Sequence, residues 1–163
     1  MYAKTHMIAG GIVGYLISPT WVGVLGGAVS SLLSDIDEPK SFIGRKTLLL
    51  SVPLNWSIEH RTVTHSLLFA FVSAFIFFAV TVLTPLYMLG YVILGGIISH
   101  IVGDMLTGRV MLFWPMKKKI GIKMPFWIYR IVDMLIRLGL IYLVIHQLVF
   151  GNVFKNLLSN SIL

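Results

Sequence analysis

The stretch MIAGGIVGYLISPTWVGVLGGAVSSLL, residues 7–33, decides the fold. It is apolar almost throughout, but Ser18-Pro19-Thr20 interrupts it near the middle. Each half holds roughly 12–14 residues, short of the roughly 20 that a helix needs to span a bilayer. Gly10, Gly11, Gly14, Gly23, Gly26 and Gly27 offer small faces for close helix packing. The stretch therefore reads as a tight helical hairpin embedded in protein. A single kinked span is the alternative, and it would put Asp35 on the opposite side.

Three more apolar blocks follow: Ser66 to Leu83, Leu86 to about Leu106 beyond a Thr84-Pro85 turn, and Phe126 to Phe150. Of the 163 residues, 57% are hydrophobic and only 12% are charged. A soluble domain carries about 45–50% apolar and about 25% charged residues, and one this small leaves much of its surface in water. Soluble globular, disordered and coiled-coil classes are excluded. The expected fold is all-α: one integral membrane domain over 1–163, a polytopic bundle of about 4–5 membrane-embedded helices. Its core would cover about 4–116, with a C-terminal helix over about 126–150.

The net charge of +7 fits nucleic acid less well than topology. Lys40, Arg45, Lys46 and Arg61 fall in one polar segment, and Arg109, Lys117, Lys118, Lys119 and Lys123 in another. The Thr84-Pro85 turn has no charge. By the positive-inside rule both polar segments and Lys4 are cytoplasmic, next to anionic head groups. The hairpin agrees with this, because it returns the chain to its starting side. No nucleic-acid partner is expected; the lipid bilayer is.

The few ionisable residues sit in short clusters at the ends of the apolar blocks: His6, then Asp35 and Asp37, then His60 and His65, then His100 and Asp104. His100 and Asp104, four apart, share a helix face. Asp35 and Asp37 form an Asp-x-Asp pair whose mutual repulsion a divalent cation relieves. The topology brings all seven to one cytoplasmic interface. Seven donors exceed what one tetrahedral zinc needs and would suffice for two ions. With no cysteine, a His/Asp set suits Zn²⁺, Mn²⁺ or Fe²⁺. A solvated helix end is the plainer account of His6 or Asp37 alone, and a buried ion pair that of His100 with Asp104. The joint placement is what favours a metal.

Around that set, Glu38 and Glu59 are candidate general bases or groups that orient a ligand histidine. Arg61 and Arg109 are candidates for holding a substrate phosphate. Ser66 beside His65 lacks the Gly-x-Ser-x-Gly elbow of a nucleophile. Lys117-Lys118-Lys119 reads as a solvated run, and Gly108 to Pro125 as an interfacial loop or short hairpin. Arg130, Asp133 and Arg137 share a helix face and read as a charge-paired stripe turned to the bundle interior. His146 lies near the outer end, away from the rest.

Four segments carry a family resemblance: Thr5-His6-Met7-Ile8-Ala9-Gly10, Ser34-Asp35-Ile36-Asp37-Glu38-Pro39-Lys40-Ser41, His60-Arg61-Thr62-Val63-Thr64-His65-Ser66, and Ser99-His100-Ile101-Val102-Gly103-Asp104-Met105-Leu106-Thr107. In this order they resemble the YdjM-like family of prokaryotic inner-membrane proteins, described as membrane-bound metal-dependent hydrolases. Gly108-Arg109-Val110 to Phe113-Trp114-Pro115 is similar to the family's loop after the last cluster. The resemblance covers about residues 4–116. It implies a multi-pass inner-membrane enzyme with these His and Asp residues as metal ligands. The His-x-x-x-Asp spacing alone is also similar to that of zinc-dependent phospholipase C and nuclease enzymes. The expected activity is hydrolysis of a phosphoester or other ester in a lipid or lipid-linked substrate by metal-activated water. A metal-ion or proton transporter using the same cluster is the first rival, and a non-enzymatic structural membrane protein the second.

Overall fold

A computed structural model describes residues 1–151 and 157–159. Six α-helices account for most of them: α1 (Ala3–Ile17), α2 (Trp21–Ser30), α3 (Leu48–Ser57), α4 (Leu67–Thr81), α5 (Leu89–Thr107) and α6 (Phe126–Phe150). Short 3-10 turns at Leu33–Asp37, Gly44–Lys46 and Val63–His65 link them. The sheet is minimal: β1 (Arg109–Val110) pairs antiparallel with β2 (Ile120–Gly121).

The broken apolar stretch forms the expected hairpin. Thr20 starts α2 as its N-cap, its hydroxyl accepting the Gly23 N–H at 3.1 Å, a contact that supplies one of the helix's orphan donors. The helices run antiparallel at backbone contact. A Cβ on Gly14 would lie 2.0 Å from the Gly23 carbonyl oxygen, and one on Gly27 2.2 Å from that of Gly10. Only glycine permits this approach.

Helix α5 packs on α1, α2 and α4 and carries the centre of the core. Ile93, Ile97 and Ile101 on α5 meet Ala70 of α4 and Val110 of β1. Among the described residues α5 is the one helix long and apolar enough to cross a membrane; α4 is as apolar but has 15 residues. Phe71, Phe75 and Val80 on α4 and Tyr142, Val149 and Phe150 on α6 project outward. Water does not tolerate apolar surface on that scale.

Ser66 caps a helix. Its hydroxyl donates to the Val63 carbonyl at 2.6 Å and accepts the Phe69 N–H at 3.2 Å, opening α4. The loop after α5 closes as the short β1–β2 hairpin, with Lys119 turned back onto Glu59 at 2.6 Å. Helix α3 is a departure, since the segment from Asp35 to His65 reads as polar. Its apolar run Leu48-Leu49-Leu50 falls below the length of a spanning block, and the flanking charges mask it.

The stripe on α6 is also corrected. Asp133 is fully buried, but Arg130 is exposed and stacks over Phe126. No arginine pairs with Asp133 among the described residues. Its carboxylate accepts the Tyr2 N–H at 2.8 Å and the Thr5 hydroxyl at 3.0 Å. Tyr2 provides no side-chain cap for α1, so α6 lends a negative charge to the positive end of that helix. Asp133→Ala leaves the buried Thr5 hydroxyl and the part-buried Tyr2 N–H without a partner and is expected to cost about 1–3 kcal/mol. Asp133→Asn, which retains an acceptor, is expected to recover part of this. Thermal unfolding of the two variants in the same detergent checks the order.

Candidate metal centre

The antiparallel order of the helices brings the polar clusters to one end. His6 lies at the start of α1, Asp35 and Asp37 just past the end of α2, His60 and His65 just before α4, and His100 and Asp104 in the last turns of α5. Alternating chain direction makes these four places neighbours.

At the centre, His65 Nε2 and His100 Nε2 face each other at 3.1 Å. Asp104 Oδ2 stands 3.4 Å from His65 Nε2; Asp35 Oδ1 stands 3.6 Å from His65 Nε2 and 3.5 Å from His100 Nε2. Two donors bound to one tetrahedral zinc at about 2.0–2.1 Å lie roughly 3.3 Å apart. The observed separations match that spacing. His6 adds a further donor: its Nε2 is 3.2 Å from Asp104 Oδ1, and its ring stacks on His100 with centroids 3.7 Å apart. The donors also divide into two triads, His6–His100–Asp104 and Asp35–His60–His65, each with its ligand atoms within 4.8 Å of one another. Both are sets that could hold a metal ion.

Asp37 stands one step back. It is fully buried, and its Oδ1 meets His60 Nδ1 at 3.0 Å, which leaves the other ring nitrogen free of that contact. Asn55 of α3 fixes the same turn by donating to the Asp37 carbonyl at 3.1 Å. Thr64 does for His65 what Asp37 does for His60, its hydroxyl lying 3.1 Å from His65 Nδ1. Such partners set the tautomer and ring angle of a metal-binding histidine. Sequence reasoning assigned neither Asn55 nor Thr64; a hydroxyl residue directly preceding a candidate ligand was the available signal for Thr64.

Arg61 occupies a strained backbone position, φ +66°, uncommon for a residue with a side chain and concentrated at functional sites. Its carbonyl accepts the Met111 N–H at 3.0 Å, and its Nε lies 3.0 Å from Asp104 Oδ2. Met111, the residue directly after β1, thus braces the Arg61 turn. The Met1 amine also contacts Asp104, and reaches Thr107 Oγ1 at 3.1 Å.

Exposure grades across the cluster. The side chains of His6, His65 and His100 are sealed and that of Asp104 is 3% exposed, whereas Asp35 is 18% and His60 and Arg61 are each 31% exposed. The mouth is on the Asp35–His60–Arg61 side. Burial pushes the Asp35 carboxyl up, but the hydrogen bond from His100 and the neighbouring imidazoles outweigh this and bring it to about 2. Burial holds the His65 imidazole below its ordinary range, favouring the neutral form that a metal requires. Burial also lowers His60, but the Asp37 carboxylate reverses this and leaves it raised.

Two of the expected catalytic groups do not join the cluster. Glu59 is 67% exposed and pairs with Lys119, and the Glu38 carboxylate turns back to accept the Lys40 N–H at 3.1 Å. Buried polar atoms near the centre that lack a hydrogen-bond partner include His6 Nδ1, His100 Nδ1 and Asp37 Oδ2. Orphaned buried acceptors and donors of this kind are costly.

The chain matches the family described as YdjM inner membrane protein over residues 1–159. It is 38% identical over 99 residues to the inner membrane protein YdjM of Escherichia coli strain K12, an alignment covering 58% of this chain and 50% of that protein. The chain thus spans about half the length of that relative. It is 32% identical over 134 residues to the uncharacterized protein YvsG of Bacillus subtilis strain 168, covering 78% of this chain and 80% of the relative. No solved structure gives a significant match. The family match runs through all four helix ends that meet at the His/Asp cluster, and the chain belongs to the YdjM inner membrane protein family.

Proposed function

We propose that this membrane protein is a metal-dependent hydrolase acting on a phosphoester or other ester of a lipid or lipid-linked substrate. The observation that carries the reading is the pair of imidazole Nε2 atoms facing each other at 3.1 Å between two carboxylates. Two neutral imidazoles so placed share one proton between two lone pairs, whereas a divalent cation uses both lone pairs and both carboxylate charges. The donor chemistry suits zinc best, with manganese or iron as substitutes and one or two ions per chain. When bound, such an ion supplies Lewis acidity and an activated water at neutral pH.

The remaining roles belong to the chain's own residues. His6, Asp35, His60, His65, His100 and Asp104 hold the ion or ions. Asp37 and Thr64 orient His60 and His65. Arg61, beside the mouth and a third exposed, offers planar donors to a phosphate. We place the α1–α2 hairpin, α4, α5 and α6 in the inner membrane as a multi-pass bundle, with the mouth on the cytoplasmic side. The distribution of Lys and Arg supports that orientation. Placement at one end of the helices fits an enzyme better than a transporter, whose sites lie near the midplane.

The test is elemental analysis of protein purified without chelator, together with phosphate release from phospholipid and soluble phosphoester panels. At least one divalent metal per chain and chelator-sensitive hydrolysis are expected. Metal-free protein would overturn the centre. Stoichiometric metal, no hydrolysis of either panel and metal uptake by proteoliposomes would overturn the enzyme in favour of transport.

A further inference from the structure

Helix α3 turns its largest apolar side chains outward. Leu49, Pro53 and Trp56 recur at i, i+4 and i+7 and share one face. That face points away from the protein: Leu49 is 93% and Trp56 83% exposed, with Leu48 and Leu50 more than half exposed beside them. The most buried residue of the helix is the polar Ser51, while the apolar Val52 and Leu54 are only half-buried. Ser51 is fully buried, and the Asn55 amide is bonded to the Asp37 carbonyl. In water this arrangement would be the wrong way round, since burial of the leucines and the tryptophan is what stabilises a soluble helix.

The segment is also too short to cross a bilayer, at 10 residues. Its charge is one-sided: no acidic residue lies between Lys40 and Trp56, while Lys40, Arg45 and Lys46 precede the helix and are exposed. Apolar residues on one face, a tryptophan near the end and a basic approach are the attributes of a helix lying in a membrane interface. The basic residues match anionic head groups, which attract each nearby Lys or Arg.

We propose that α3 is an in-plane membrane helix seated in an anionic leaflet, Leu49, Pro53 and Trp56 buried below the head groups and Arg45 and Lys46 among them. Through Asn55 it is tied to the Asp37 turn that orients His60, so it fixes the mouth of the cluster at head-group depth. A ligand entering past Asp35, His60 and Arg61 then comes from the leaflet surface and not from bulk water. The membrane seat of α3 does not depend on the hydrolase reading; only this last consequence does.

The chain has no cysteine, so single cysteines can be introduced for nitroxide labelling in the full-length protein. Leu49→Cys and Trp56→Cys are compared with Lys118→Cys, on an exposed loop, in nanodiscs of phosphatidylethanolamine and phosphatidylglycerol. For the two α3 labels, collision with oxygen is expected to exceed collision with a water-soluble nickel chelate, and Lys118→Cys is expected to show the reverse. In purely phosphatidylcholine nanodiscs the two α3 labels are expected to become shallower. Nickel contact at Leu49 and Trp56 equal to that at Lys118 would overturn the proposal. So would low collision with both reagents, or spin–spin broadening between chains, which would mean that protein and not lipid covers the face. These readouts require no bound metal, so failure here is separate from failure of the hydrolase reading.

Discussion

Asp104→Asn is expected to weaken divalent-metal binding by at least about 100-fold and to reduce hydrolysis to background, on the proposed reading. The substitution is nearly isosteric and removes one negative charge from the crowded centre. Asp104 faces His6, His65, Arg61 and the Met1 amine. In the folded protein it is the counter-charge to Arg61, and on the proposed reading it is also a donor to the ion. Loss even of a group that merely orients a metal ligand costs about 10–100-fold in affinity, and a direct ligand costs more. Because breaking one partner of a buried ion pair destabilises by roughly 3–5 kcal/mol, helix content must be followed alongside metal. His65→Gln is the second arm, since His65 makes no buried ion pair with a permanent cation. Glu59→Gln is the control: an exposed pair with Lys119 contributes about 0–1 kcal/mol, and metal content is expected to be unchanged. Full metal in both Asp104→Asn and His65→Gln would mean that the ion sits elsewhere.

The gathering of His6, Asp35, His60, His65, His100 and Asp104 at one end is legible in sequence because it follows from chain direction alone. A hairpin, an out-and-back pair of helices and a charge asymmetry between loops suffice to bring four distant segments together. The division of labour within the cluster is not legible in that way. Asp37 looks equivalent to Asp35 two residues away, yet the 3-10 turn after α2 points it at the back of His60. Glu38 and Glu59 sit next to candidate ligands in sequence and turn outward in space. Neighbours along a turn diverge by direction, and periodicity is silent where no regular helix exists.

The same limit explains α3 and Asp133. A 10-residue apolar helix between charged turns leaves no spanning-length signal, and its outward leucines become informative only when the buried Ser51 is seen. The spacing of Arg130, Asp133 and Arg137 correctly places them on one face of α6. It does not reveal that the N-terminus of α1 is nearer to Asp133 than either arginine is.

Gly27→Val is expected to be strongly destabilising to the α1–α2 hairpin. A Cβ at Gly27 would lie 2.2 Å from the Gly10 carbonyl oxygen, 2.8 Å from Gly14 Cα and 3.0 Å from the Gly14 backbone nitrogen. All three obstacles are backbone, so no side-chain rotation relieves the contact and the helices must move apart. Overpacking against movable side chains costs about 1–3 kcal/mol; rigid backbone on the facing helix puts this case at or above the top of that range. The damage also reaches the cluster. Moving α1 away from α2 carries His6 away from Asp104 and disturbs Asp35 at the end of α2, so stability and metal affinity should fall together. Gly139→Val separates this from a generic cost of β-branching, because nothing lies within 4 Å of a Cβ placed there on α6. Gly139→Val is expected to unfold within a few degrees of the parent in detergent, and Gly27→Val well below it or not to accumulate. Equal behaviour of the two would show that the close approach of α1 to α2 does not hold the hairpin together.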